Sequence, residues 1–264
     1  MTQLSSQFIR SVSLKRDDVP SFNAYPFDIP AVRILDSLDF HPSVTYFVGD
    51  NGTGESTLLE AMAVAFGFNP EGGTQSFSFT TRESHSSLHL FLRITKGIKR
   101  PKTGFFLRAE SYFNVATAID KLDEDPLGGP PIIDAYGGIP LHEMSRGESF
   151  WALLKHKFHG QGLYILDEPE AALSPPRQLS ALSRIHELVQ QGSQFVIATH
   201  SPILMAYPNA RIFLFGDDAI REVRYEDTEH YTVTRDFLTH RETMLRELLQ
   251  SPQMDIDELE TGGA

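Results

Sequence analysis

Short unbroken apolar runs alternate along this chain with stretches of helical periodicity. Val44-Thr45-Tyr46-Phe47-Val48 has the length and character of a buried strand. A glycine-rich turn follows at once, and then the apolar helical segment Leu58-Leu59-Glu60-Ala61-Met62-Ala63-Val64-Ala65. Leu163–Leu166, Phe195–Ala198 and Ile212–Phe215 read as further buried strands, with a helix over about 176–190 between the first two. This alternation predicts α/β layering.

Other segments organise the chain around that pattern. Leu88-His89-Leu90-Phe91-Leu92-Arg93-Ile94 and Gly104-Phe105-Phe106-Leu107-Arg108 read as paired strands around a basic turn that carries Lys96, Lys99, Arg100 and Lys102. A solvated hairpin tip is the plain reading of that turn, and a phosphate or nucleic-acid contact the sharper one. Residues 123–140 concentrate Gly and Pro and predict a loop or hinge. Ser145 stands where a helix N-cap would, ahead of Phe150-Trp151-Ala152-Leu153-Leu154. The segment 234–250 reads as a helix closing the domain. The expected organisation is one domain over 1–250, a helical part inserted at about 111–160, and an acidic mobile tail over 251–264 with Asp255, Asp257, Glu258 and Glu260.

Composition removes several classes. The 264 residues, 41% of them apolar, are enough for a substantial core. With no cysteine, a disulfide framework, a thiolate metal site, an iron–sulfur cluster and a cysteine nucleophile are excluded. A net charge of −12 argues against a strong non-specific grip on nucleic acid, because such binding needs a dense basic surface. The N-terminus has no apolar core of a secretion signal, and no uncharged apolar run reaches about 18 residues, so a cytoplasmic chain without a membrane span is expected.

The candidate chemistry lies at three strand ends. Gly49-Asp50-Asn51-Gly52-Thr53-Gly54-Glu55-Ser56-Thr57 fits G-x-x-x-x-G-K-[ST] everywhere except at the lysine. Glycines let a backbone wrap closely round phosphates, the amides and helix start face the anion, and the Ser56 hydroxyl suits Mg2+. Leu163-Tyr164-Ile165-Leu166-Asp167-Glu168-Pro169 delivers two carboxylates to a sheet edge, where Asp167 could hold Mg2+ and Glu168 could orient or deprotonate water. Phe195-Val196-Ile197-Ala198-Thr199-His200 delivers a histidine to the same edge. Each has a bland reading: a ligand-free turn, two solvated acids, a structural histidine.

Together with Ser145-Arg146-Gly147-Glu148-Ser149, these segments resemble the ATP-binding cassette (ABC) ATPases, particularly small stand-alone ATPases near the SMC and RecF-like heads, over about residues 30–240. The resemblance implies a P-loop NTPase fold: a central mostly parallel sheet, an antiparallel β part and a small helical signature subdomain. Gly49 to Thr57 look like Walker A, Leu163 to Glu168 like Walker B, Glu168 like the catalytic carboxylate and His200 like the switch histidine. Ser145-Arg146-Gly147-Glu148 is similar to the signature motif, which in this family reaches ATP on the opposite subunit; Ala171-Ala172-Leu173-Ser174 resembles the D-loop. The implied ligands are ATP and Mg2+, and the implied assembly is a homodimer acting on an unknown protein partner, with nucleic acid a further candidate. Tyr25 or Phe27 could stack on adenine, and Gln75 is a candidate for the Q-loop.

Glu55 stands where the family pattern has lysine, and so places −1 where +1 faces the phosphates. At about 4 Å and an effective dielectric near 20, each such charge pair is worth on the order of 4 kcal/mol before screening. Weak ATP binding and slow turnover are therefore expected, unless Arg82 or Lys99 supplies the missing charge. A non-catalytic nucleotide-sensing or scaffold protein, and the ATPase subunit of a membrane transporter, are the alternatives.

Overall fold

The computed structural model describes residues 7–74, 86–108, 117, 133–134, 138 and 144–250. The strands among them are β1 (Ile9–Leu14), β2 (Ser37–Asp39), β3 (Val44–Gly49), β4 (Leu92–Lys96), β5 (Thr103–Arg108), β6 (Gly162–Asp167), β7 (Gln194–Ala198), β8 (Arg211–Phe215) and β9 (Ile220–Val223). The helices are α1 (Pro30–Ile34), α2 (Glu55–Phe66), α3 (Leu88–Phe91), α4 (Arg146–Ala152), α5 (Pro175–Gln190), α6 (Glu229–Thr239) and α7 (Arg241–Gln250).

All six residues of β3 are buried, as an apolar run flanked by strands on both sides requires. It lies within a six-stranded sheet of order β5-β6-β7-β3-β8-β9, parallel throughout except for the antiparallel β9. Strand alternation divides the core between its two faces. Phe47, Ile165 and Val196 meet the apolar helix α2 on one face, while Tyr46, Val48, Tyr164 and Ile197 pack with Ala181, Ile185 and Leu188 of α5 on the other. A second sheet, β2-β1-β4, is wholly antiparallel and packs its own apolar residues, Val12 and Leu92, into the α2 side. The α/β architecture, with a mostly parallel sheet and an antiparallel β part, is the one the sequence predicts.

The expected hairpin over 88–108 does not form. Leu88–Phe91 is a helical turn, β4 pairs with β1, and β5 pairs in parallel with β6 in the other sheet. The basic turn therefore carries the chain from one sheet to the other. Its apolar runs are strand-like, but the partner of β5 lies more than 50 positions later, which local pattern cannot reveal.

The polypeptide divides into two compact units, Met1–Tyr225 and Glu226–Ala264. In the second, the single helix expected over 234–250 is replaced by α6 and α7, because the backbone leaves helical geometry at His240. Thr228 caps α6 by accepting from the Tyr231 amide. The Gly/Pro-rich stretch, apart from residues 133, 134 and 138, and the acidic tail lie outside the described residues.

Candidate active site

The site is assembled where β3 turns into α2. Gly52 and Gly54 have φ of +92° and +108°, a region in which a side chain is strained. A Cβ on Gly54 would also strike Ile29 Cγ2 at 2.5 Å. Inside the turn, Thr53 donates its amide to the carbonyl of Asp50 at 3.2 Å and so fixes the curl of the loop.

Glu55 begins α2 and is 8% exposed. Its side chain folds back along the inner wall of the loop. Oε1 accepts a 2.5 Å hydrogen bond from the Thr53 hydroxyl and lies in the space a Cβ on Gly49 would take. The negative charge thus sits inside the loop, and is held there by a neighbour. Lys99, one proposed rescuer, instead lines a different cavity with Phe8, Phe66 and Lys96; Arg82 lies outside the described residues.

The next residue faces the Asp-Glu strand. Ser56 Oγ donates to Asp167 Oδ1 at 2.7 Å, joining the start of α2 to the end of β6. Parallel register sets Arg108 beside Asp167, with Nε 4.0 Å from Oδ2, and the guanidinium also pairs with Glu60 on α2. A hydroxyl and a carboxylate so close together form the hard oxygen donor set that Mg2+ takes, so the residues fit the ion.

After β6 the chain reverses at Glu168, a non-glycine residue with φ of +48°. Its amide donates to the carbonyl of Ala198 at 3.0 Å. Glu168 Oε1 lies 3.8 Å from His200 Nε2, and both side chains are partly exposed. Two residues on, Glu170 Oε1 accepts from the His200 amide at 2.6 Å. Burial raises the Glu170 carboxyl above its ordinary value.

Ile29, Asn51, Gly52, Gly54, Glu55, Ser56, Thr57, Glu168 and His200 line one cleft of about 140 Å³. The loop, the candidate catalytic carboxylate and the candidate switch histidine therefore meet, as their strand ends predict. The segment Ser145-Arg146-Gly147-Glu148 contributes none of Ser145, Gly147 or Glu148 to the described lining of this cleft. It opens α4 with a capping box: the Glu148 carboxylate accepts from the Ser145 amide at 3.0 Å and hydroxyl at 2.7 Å, while the Glu148 amide donates to Ser145 Oγ at 3.3 Å. The hydrogen bond from the Ser145 hydroxyl is the main reason the Glu148 carboxyl falls below its ordinary value. Gly147 packs on the D-loop-like segment, where a Cβ would lie 2.7 Å from the carbonyl oxygen of Ala172.

Of the two aromatic candidates, Phe27 is core: it is 3% exposed and meets Phe91 edge-on with ring centroids 4.9 Å apart. Tyr25 is 67% exposed, and Gln75 lies outside the described residues. Sequence reasoning missed Ile29, Arg108 and Glu170. Arg108 was hidden because it reaches Asp167 only through the pairing of β5 with β6, which local pattern does not reveal; Ile29 carries no chemical signal.

Residues 132–206 match the family model described as "AAA domain, putative AbiEii toxin, Type IV TA system". The hemin import ATP-binding protein HmuV of Aliivibrio fischeri is 24% identical over 229 residues, which is 76% of this chain and 82% of that protein. Among solved structures, a nucleotide-free ATP-binding cassette from an ABC transporter matches 77% of this chain and 88% of its own, at 16% identity and a TM-score of 0.43. An SmcHead bound to the C-winged helix domain of ScpA matches 71% and 92%, at 16% identity and a TM-score of 0.41.

Proposed function

We propose that this chain, an ABC-type P-loop ATPase by its sequence matches and its fold, is built to bind ATP with Mg2+ and to couple hydrolysis to dimerisation and an unidentified protein partner, with Glu55 holding binding and turnover low. The observation that carries this reading is the Ser56–Asp167 hydrogen bond beside a cleft that also holds Glu168 and His200. The loop amides would face the phosphates, and Ser56 and Asp167 would hold the ion. Glu168 would orient or deprotonate the attacking water, and His200 would contact the terminal phosphate. Bound Mg2+ supplies neutralisation of phosphate charge.

The homodimer reading draws on Ser145 and Glu148, which are exposed and are not among the residues lining their own chain's cleft. They would reach nucleotide held by a second copy. Light scattering of a Glu55→Lys, Glu168→Gln double variant with Mg-ATP should give twice the monomer mass, and a persistent monomer would sink the dimer.

Turnover and ATP binding of this chain should be measured beside Glu55→Lys at concentrations high enough to populate a dimer. Only the lysine form should turn over. If it neither binds nor hydrolyses ATP, the ATPase reading fails, and the second reading gains: a scaffold or nucleotide-sensing protein, favoured by the carboxylate Thr53 holds inside the loop. An import role of the kind HmuV's name carries would need a permease to act on, and no described helix is long and apolar enough to cross a membrane.

A further inference from the structure

Glu170 is an acid with one buried oxygen that the proposed chemistry leaves unused. It sits in the one-turn helix Pro169–Ala172, directly after the reversal at Glu168. Its Oε1 accepts from the His200 amide at 2.6 Å, and the Thr199 hydroxyl bonds the same carboxylate. Its Oε2 is buried with no partner among the described residues. A carboxylate placed this way costs stability, since one oxygen loses water and gains nothing. An apolar side chain of similar length would avoid that cost, so the benefit of the acid must lie elsewhere.

The geometry supplies one. The β6–β7 ladder ends at the pair Asp167 and Ala198. Beyond it the two chains are joined twice more: the Glu168 amide donates to Ala198, and the His200 amide donates to Glu170. The Thr199 amide is meanwhile held by the carbonyl of Phe47, in the strand that leads into the glycine loop. His200 lies past the last ladder bond, so its amide has no strand partner, and Glu170 takes the place of one. We infer that Glu170 is a positioning residue that sets His200 against Glu168 by anchoring the His200 backbone to the turn that carries Glu168. The two cleft residues then share a support and keep their 3.8 Å separation.

The kinetic consequence rests on the ATPase reading; the placement does not. Glu170→Met removes the acceptor while filling the space and deleting the orphaned oxygen, and Glu170→Gln keeps an acceptor for the His200 amide. In the nucleotide-free chain, the His200 amide proton resonance should move upfield in Glu170→Met and hold its place in Glu170→Gln. In the Glu55→Lys background, Glu170→Met should lower kcat by about tenfold while leaving KM within about a factor of two, and Glu170→Gln should keep most of the rate. Once His200 is Ala, Glu170→Met should cost nothing further. Costs that add in that cycle, equal losses in Met and Gln, or an unmoved His200 amide would overturn the inference. If Glu55→Lys shows no turnover, it is the ATPase reading that has failed, and the amide resonance by itself decides the placement.

Discussion

The hydroxyl of Ser56 donates to Oδ1 of Asp167 at 2.7 Å, joining two motifs 111 positions apart at the carboxyl edge of one sheet. If that pair holds the ion, deleting the hydroxyl should uncouple nucleotide from metal. In the Glu55→Lys background, Ser56→Ala should lose about tenfold in Mg-ATP affinity and nothing in metal-free ATP affinity. Calorimetric titrations with Mg2+ and with EDTA check this, and equal losses in both would mean that Ser56 is structural.

Glu55 offers a graded test of charge against shape. Glu55→Gln removes the charge but keeps an acceptor for Thr53, whereas Glu55→Lys reverses the charge and loses the acceptor. If electrostatics govern, ATP affinity should rise in the order Glu, Gln, Lys, spanning about a hundredfold, with the span shrinking as salt is added. If Gln already reaches the lysine value, the charge reversal adds nothing, and loss of repulsion is the whole effect.

The parallel sheet and its three chemical ends were legible because each is a contiguous run: an apolar strand stops and a glycine, an acid pair or a histidine begins. The pairing of β5 with β6 and of β1 with both β2 and β4 was not, because register between distant segments is set by which faces bury together. Glu55's exception to the loop pattern was visible in sequence; the Thr53 bond that keeps its carboxylate inside the loop was not. Glu170 was hidden for a similar reason. An acid after a proline looks solvated, and only the fold shows its Oε2 buried and its Oε1 on the His200 amide.

Ser145 tests the signature segment independently of nucleotide. Ser145→Ala deletes the capping box, which should cost about 1 kcal/mol and lower Tm by about 2–4 °C. The Glu148 carboxyl, now below its ordinary 4.5 chiefly because of the Ser145 hydroxyl, should rise towards that value. Differential scanning calorimetry reads the first and carbon-detected NMR titration the second. A carboxyl that stays low after the substitution would put its cause in the Ser145 amide, which the substitution leaves in place, rather than in the hydroxyl.

Glu170 makes stability depend on pH with a definite sign. Burial raises its folded-state pKa above the ordinary 4.5, with His200 as a nearby group that opposes the rise if charged. The unfolded chain therefore ionises this carboxyl first, and its contribution to stability is fully present below 4.5 and lost as pH rises through the folded value. Glu170→Gln cannot titrate. The Tm of the unaltered chain minus that of the Gln variant should accordingly fall from pH 4.5 upward and level off once the buried carboxyl has ionised, while the many exposed acids cancel in the difference. Paired calorimetric scans between pH 4.5 and 8 measure it. A flat difference would mean that the carboxyl ionises alike in both states, and a rising one would mean that its bonds to His200 and Thr199 outweigh its burial.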